Sequence, residues 1–210
     1  MPEQRSPLVM LLDDEEAVVV ALERLLRASG FVTRSWTSAI RFLAEHDPEL
    51  PGCLVADVRM PTMNGLELQH ALPSRPIVFI TGQGDIPTTV RAMKAGAVTF
   101  LSKPVQRTEL VAAVREALTR DAEQRTRNLE QLDIAHRLAR LTPRERQVLD
   151  LLASGLLNKQ IAAELGAAEK TIKVHRGRIM EKMQVRNATA LVGLLWRARP
   201  EAGFQGLPAP

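Results

Sequence analysis

The chain has 210 residues, 45% of them apolar, enough for two modest domains that each bury a core. It has no run of about 18 apolar residues, a polar N-terminus and a single cysteine, Cys53. A membrane helix, a secretory leader and an intrachain disulfide are therefore not expected, and a cytoplasmic protein is. The net charge of +4 is uneven: residues 1–120 carry 13 Lys/Arg against 14 Asp/Glu, and residues 141–200 carry 11 against 5. A small basic region points to a polyanion, most simply nucleic acid, although solubility alone can also call for a basic surface.

In chain order, Leu8–Leu12 is a continuous apolar run, the pattern of a strand buried on both faces. Helical spacing follows over Glu15–Ser29, then a strand at Phe31–Ser35 and a helix at Ser38–Glu45. Cys53–Val58 repeats the buried-strand pattern, with Cys53 as a packing residue. A short helix over Asn64–Leu72 ends at Pro73, Ile77–Thr81 is a strand, Ile86–Ala95 a helix and Val98–Ser102 a strand, and Thr108 opens a long helix. Five strand–helix units imply a five-stranded parallel sheet covered by helices on both faces.

From Arg115 to Leu141 neither Gly nor Pro interrupts the helical pattern, so residues 121–140 read as a helical linker between domains at 1–120 and 141–200. Leu118, Ala122, Leu129, Leu132 and Ala139 recur at alternating spacings of four and three, broken by Arg125 and His136. A short coiled coil across a dimer and a single amphipathic helix packed on its own domain both fit that seam. The four charges of each sign in 121–140 read as a solvated face. Beyond Leu141 the pattern is all helical, over about 143–153, 158–165, 169–183 and 188–198, and Thr142-Pro143-Arg144-Glu145 forms a capping box with proline at the first helical position. Residues 201–210, with two Gly and two Pro, read as a disordered tail.

The strands end in chemistry. The first runs into Asp13-Asp14, the third into Asp57, the fourth into Thr81 and the fifth into Ser102-Lys103-Pro104. In an open parallel sheet these ends share one crevice. Clustered carboxylates repel unless a cation joins them, and hard oxygen donors suit Mg²⁺. A carboxylate can attack phosphorus to form an acyl phosphate, while a lysine and a threonine hydroxyl receive the phosphoryl oxygens. An acidic pair can merely serve a helix N-terminus, and Lys-Pro can merely be a turn. The ordered set is the signal.

The segments Val9–Glu15, Cys53–Gly65, Ile77–Pro87 and Val90–Pro104 resemble response-regulator receiver domains, a flavodoxin-like fold, and are most similar to the FixJ and StyR type. That resemblance covers residues 8–118. It implies that Asp57 accepts phosphate from a sensor histidine kinase. It further implies that Asp14, Asp57 and the Arg59 backbone carbonyl ligate Mg²⁺ with Asp13 acting through water, that Thr81 and Lys103 bind phosphoryl oxygens, and that Thr81 and Phe100 form the switch. Two features depart from the family pattern. Thr62 stands where glycine is common, and the segment between Gly65 and Ile77 is short. Arg59 and Gln83 are expected to flank the pocket mouth.

Residues 141–197 resemble the NarL/LuxR-type helix-turn-helix output domain. On the helix at 169–183, Ile172, His175, Ile179 and Met183 share one face, whereas Lys170, Lys173, Arg176 and Gly177 lie opposite with Val174 at the edge. A helix with a cationic face can enter the major groove of double-stranded DNA. Lys173 and Val174 match base-reading positions of the family. Gly177 stands where some members carry a longer polar residue, which reduces readout there or shifts it to Arg176. Lys159, Lys170, Arg178 and Lys182 are expected at phosphates.

These expectations describe a transcription factor that dimerises on phosphorylation and meets RNA polymerase at promoters, with no enzymatic activity beyond Mg²⁺-dependent self-phosphorylation and self-dephosphorylation at Asp57. A constitutive DNA-binding protein with a vestigial receiver is the first alternative. A haloacid-dehalogenase-like phosphatase is the second, but it normally places Asp-x-Asp on its first strand, and that pair is absent here.

Overall fold

The computed structural model describes residues 6–82 and 86–197. The expectations for Gln83 and for the tail at 201–210 fall outside the described residues. The chain divides into two compact units, Met1–Arg125 and Thr126–Pro210.

The first unit alternates β1 (Leu8–Leu12), α1 (Glu16–Arg27), β2 (Val32–Trp36), α2 (Ala39–Glu45), β3 (Gly52–Asp57), α3 (Gly65–Ala71), β4 (Ile77–Thr81), α4 (Ile86–Lys94) and β5 (Thr99–Ser102). Helix α5 then runs from Arg107 to Ala139. The strands pair in parallel in the order β2-β1-β3-β4-β5. Element ends differ from the sequence expectation by about two residues at most, as frayed ends do.

Because side chains alternate across a strand, β1 sends Met10 and Leu12 to one face and Val9 and Leu11 to the other. The first face packs with Leu54, Ala56 and Phe79 against Phe42 of α2, Leu68 of α3 and Ala92 of α4. The second packs with Cys53, Val55 and Val78 against Leu22 and Leu26 of α1 and Leu110, Val114 and Ala117 of α5. Cys53 is fully buried, and burial pushes its thiol up to about 12, so it is an inert packing residue.

The second unit holds the end of α5 with α6 (Pro143–Ala153), α7 (Asn158–Glu164), α8 (Glu169–Met183) and α9 (Ala188–Arg197). Its core joins Ile134 and Leu138 of α5 to Val148, Leu149, Ile161, Ile172, Ile179, Leu191 and Leu195. Between these stretches, Leu129 and Leu132 are exposed. The Thr142–Glu145 capping box forms as read from the sequence, each side chain bonding the other residue's backbone N–H.

Candidate carboxylate site and nucleic-acid interface

The strand order reverses direction at β1: β2 lies to one side and β3 to the other. Such a switch point leaves a crevice outside the C-terminal ends of the two central strands. Asp13 follows β1 and Asp57 is the last residue of β3, so both stand at that crevice. Thr81 ends β4, and Lys103 follows β5.

One oxygen from each of Asp13, Asp14 and Asp57 lies within 4.8 Å of the others. Asp13 and Asp57 are buried, whereas Asp14 is exposed. Lys103 Nζ donates to Asp13 Oδ2 at 2.7 Å and stands 3.8 Å from Asp57 Oδ2 and 3.7 Å from Glu15 Oε1. Burial raises the Asp57 carboxyl above its ordinary range, Lys103 opposes that rise and Asp13 adds to it. Burial by itself would lower the Lys103 ammonium, but the Asp13 hydrogen bond and the surrounding carboxylates outweigh it and hold the pKa above the usual value. The set gathers three carboxylates beside the Lys103 ammonium, and every donor in it is a hard oxygen. That donor chemistry fits a small divalent cation.

Asp57 Oδ1 accepts from the Val58 N–H at 2.9 Å. Gly65 lets α3 start directly beneath it. A Cβ there would stand 2.7 Å from the Phe79 ring and 3.0 Å from the Asp57 carbonyl oxygen. The crevice opens into a cavity of about 560 Å³ lined in part by Asp14, Arg59, Asn64, Thr81, Arg91 and Phe100. Thr81 is buried, and half-buried Phe100 stacks at a tilt on Phe79 with ring centroids 5.6 Å apart.

In the second unit, α7 and α8 meet at a turn where Gly166 takes φ +59°, a left-handed conformation that costs other residues. Ile172, Ile179 and Met183 of α8 are fully buried, and His175 is half-buried with Nδ1 turned inward, a packing position as expected. Lys159, Lys170, Lys173, Val174, Gly177 and Arg178 are exposed.

Two residues expected at the DNA also bond within the chain. Lys182 Nζ donates to Glu145 Oε2 at 2.6 Å and to the Arg140 carbonyl at 3.1 Å. Glu145 is only 2% exposed, and a buried carboxylate demands such a partner. The Lys182 hydrogen bond in turn holds the Glu145 carboxyl below its usual range. Arg176 is half-buried, and its Nη1 donates to Asn158 Oδ1 of α7 at 3.1 Å.

The linker charges are also not uniformly solvated. Asp121 is buried, accepting from the Gly52 N–H and from Arg125 Nε, each at 2.9 Å. Buried Arg75 stands 3.8 Å from Asp121 and donates to the carbonyls of Asp47, Pro48, Leu50 and Gly52. This clamp fastens α5 to the entry of β3 through a guanidinium in the shortened α3–β4 loop. Only the shortness of that loop hints at it in the sequence.

Residues 9–115 match the response regulator receiver domain family, and residues 139–195 match the bacterial regulatory proteins of the luxR family. The chain is 42% identical over 199 residues to the response regulator protein TodT of Pseudomonas putida, spanning 93% of this chain and 88% of TodT. It is 43% identical over 196 residues to the transcriptional regulatory protein FixJ of Azorhizobium caulinodans, spanning 91% and 92%. Among solved structures, the response regulator StyR matches with a TM-score of 0.78 at 47% identity, over 91% of this chain and 99% of StyR. Full-length FixJ from B. japonicum matches with a TM-score of 0.55 at 40% identity, over 91% and 97%. The chain thus belongs to the response-regulator family of two-component signalling, as a transcription regulator with a receiver domain followed by a LuxR-type DNA-binding domain.

Proposed function

We propose that Asp57 is the phosphoacceptor and that its state governs promoter binding by the face of α8. The observation that carries this reading is the convergence of Asp13, Asp14 and Asp57 within 4.8 Å beside the Lys103 ammonium. An Asp57 carboxylate oxygen attacks the phosphorus of a sensor kinase's phosphohistidine. The P–N bond breaks, the imidazole leaves, and an acyl phosphate remains. Asp14, Asp57 and the Arg59 carbonyl, with Asp13 beside them, would hold Mg²⁺, which supplies positive charge to the phosphoryl oxygens when bound. Lys103 turns from Asp13 to one of those oxygens, and the Thr81 hydroxyl donates to another. Water later hydrolyses the acyl phosphate. Self-phosphorylation from small donors and this hydrolysis are the enzymatic steps we assign.

Phosphorylation adds a dianion at the crevice. Thr81 moves toward it, and Phe100 packs inward into the cavity that Thr81 also lines. The face built from residues 86–119 then favours a homodimer. Two DNA-binding units of the dimer engage paired half-sites, in the cytoplasm and within reach of RNA polymerase. At the DNA, Lys173 and Val174 face base edges, whereas Lys159, Lys170 and Arg178 face phosphates, all from exposed positions. The units we assign are a receiver over 1–120, a helical linker over 121–140 and the DNA-binding domain over 141–200.

Acetyl phosphate with Mg²⁺ should produce a slow band on a Phos-tag gel and a dimer by gel filtration, both abolished in Asp57→Asn. A slow band of equal intensity in Asp57→Asn would move the acceptor elsewhere.

A further inference from the structure

We propose that Gly177 forms a notch in the DNA-facing side of α8 that receives the 5-methyl group of a thymine, making this glycine a specificity-determining residue. The inference rests on the DNA-binding reading of α8 and deepens it. Gly177 lies inside α8, three residues after Val174 and four after Lys173, so the three share one side of the helix. It is exposed, its φ lies outside the left-handed region, and a Cβ built on it meets nothing within 4 Å. Among the described residues no turn and no packing contact calls for glycine there, although glycine weakens a helix interior relative to alanine.

One wall of this notch is apolar. Val174 is 48% exposed, a β-branched side chain standing in solvent. Bare helix backbone beside valine methyls offers a base no spare hydrogen-bonding group. In the major groove the one apolar group on a base edge is the thymine methyl. Exposed Lys170, Lys173 and Arg178 flank the notch with positive charge, which draws the duplex onto it. Gly193 in α9 is equally open, so openness alone assigns nothing. The cationic, solvent-facing surroundings of Gly177 make the difference. A shift of readout to Arg176 is the competing solution, and Asn158 holds that guanidinium against α7.

The test uses the full chain and DNA selected from a random pool. Each thymine of the selected half-site is replaced in turn by deoxyuridine, which removes only the methyl. At one position per half-site this should weaken wild-type binding about fourfold, the ratio given by burial of ~0.8 kcal/mol for one methyl. Gly177→Ala should bind thymine DNA about tenfold more weakly. It should recover most of that loss on the deoxyuridine DNA, because the new Cβ takes the methyl's place. The same variant should melt about 4 °C higher in its DNA-binding unit, which separates lost affinity from misfolding. Equal affinity of wild type and Gly177→Ala for thymine DNA, or an equal loss on both DNAs, overturns the notch and leaves the DNA-binding reading standing. A wild-type protein that selects no DNA overturns that reading and the notch with it.

Discussion

Asp57 and Lys173 are both charged residues to which we assign a functional contact, yet their surroundings are opposite. Asp57 is buried among groups drawn from four strands, and its carboxyl is raised by burial against the pull of Lys103. Lys173 stands exposed on a single helix, among neighbours three and four residues away. In the first unit the fold assembles the site. In the second, some cations of the same surface also bond within the chain, as Lys182 and Arg176 do.

This contrast can be broken most forcefully at the clamp on α5. Asp121→Ala should destabilise the first unit by about 3–5 kcal/mol, because it leaves Arg75 buried without its carboxylate and the Gly52 N–H without its acceptor. Trp36 and Trp196 lie one in each unit, so fluorescence of the Trp196→Phe protein during urea unfolding reports the first unit alone. A loss below about 1 kcal/mol would mean that the clamp is solvated after all.

A smaller effect is expected at Lys182. Lys182→Ala should cost the second unit about 1–3 kcal/mol by leaving the buried Glu145 carboxylate without its cation. The pH dependence has a definite sign. The Lys182 hydrogen bond holds the Glu145 carboxyl below its unfolded value, so the unfolded chain binds the proton more readily. The pair's contribution is present above the ordinary carboxylate range and is lost as pH falls below it. Glu145→Gln should flatten that acid limb, and an unaltered limb would place the acid sensitivity elsewhere.

The smallest effect is the sharpest discriminator. Lys170→Ala should leave stability within about 0.5 kcal/mol and make the slope of log affinity against log salt shallower by about 0.9, the signature of one lost phosphate contact. An unchanged slope would make Lys170 a solvated surface charge.

How much was legible in sequence follows the same division. Apolar strand runs and strand-end residues exposed the sheet and the carboxylate set, because a period of two and a parallel order leave few alternatives. The face of α8 was legible too, since helical spacing separates Ile172, Ile179 and Met183 from Lys173 and Val174. What could not be read was pairing across sequence distance. Glu145 reads as a capping residue, which it is, but its second partner is Lys182, 37 residues away. Asp121 sits in a stretch of balanced charges, and nothing local marks it as buried against Gly52, 69 residues earlier. Such bonds depend on how elements pack, and local patterning does not encode them.

The link between the two regions is the central claim, and DNA affinity in the two phosphorylation states measures it directly. Wild-type protein treated with acetyl phosphate and Mg²⁺ should bind its selected DNA at least about tenfold more tightly than untreated protein, the scale of a typical coupling free energy. Asp57→Asn should show no change. Equal affinity of treated and untreated wild type, with Asp57 demonstrably phosphorylated, would contradict control of DNA binding through Asp57.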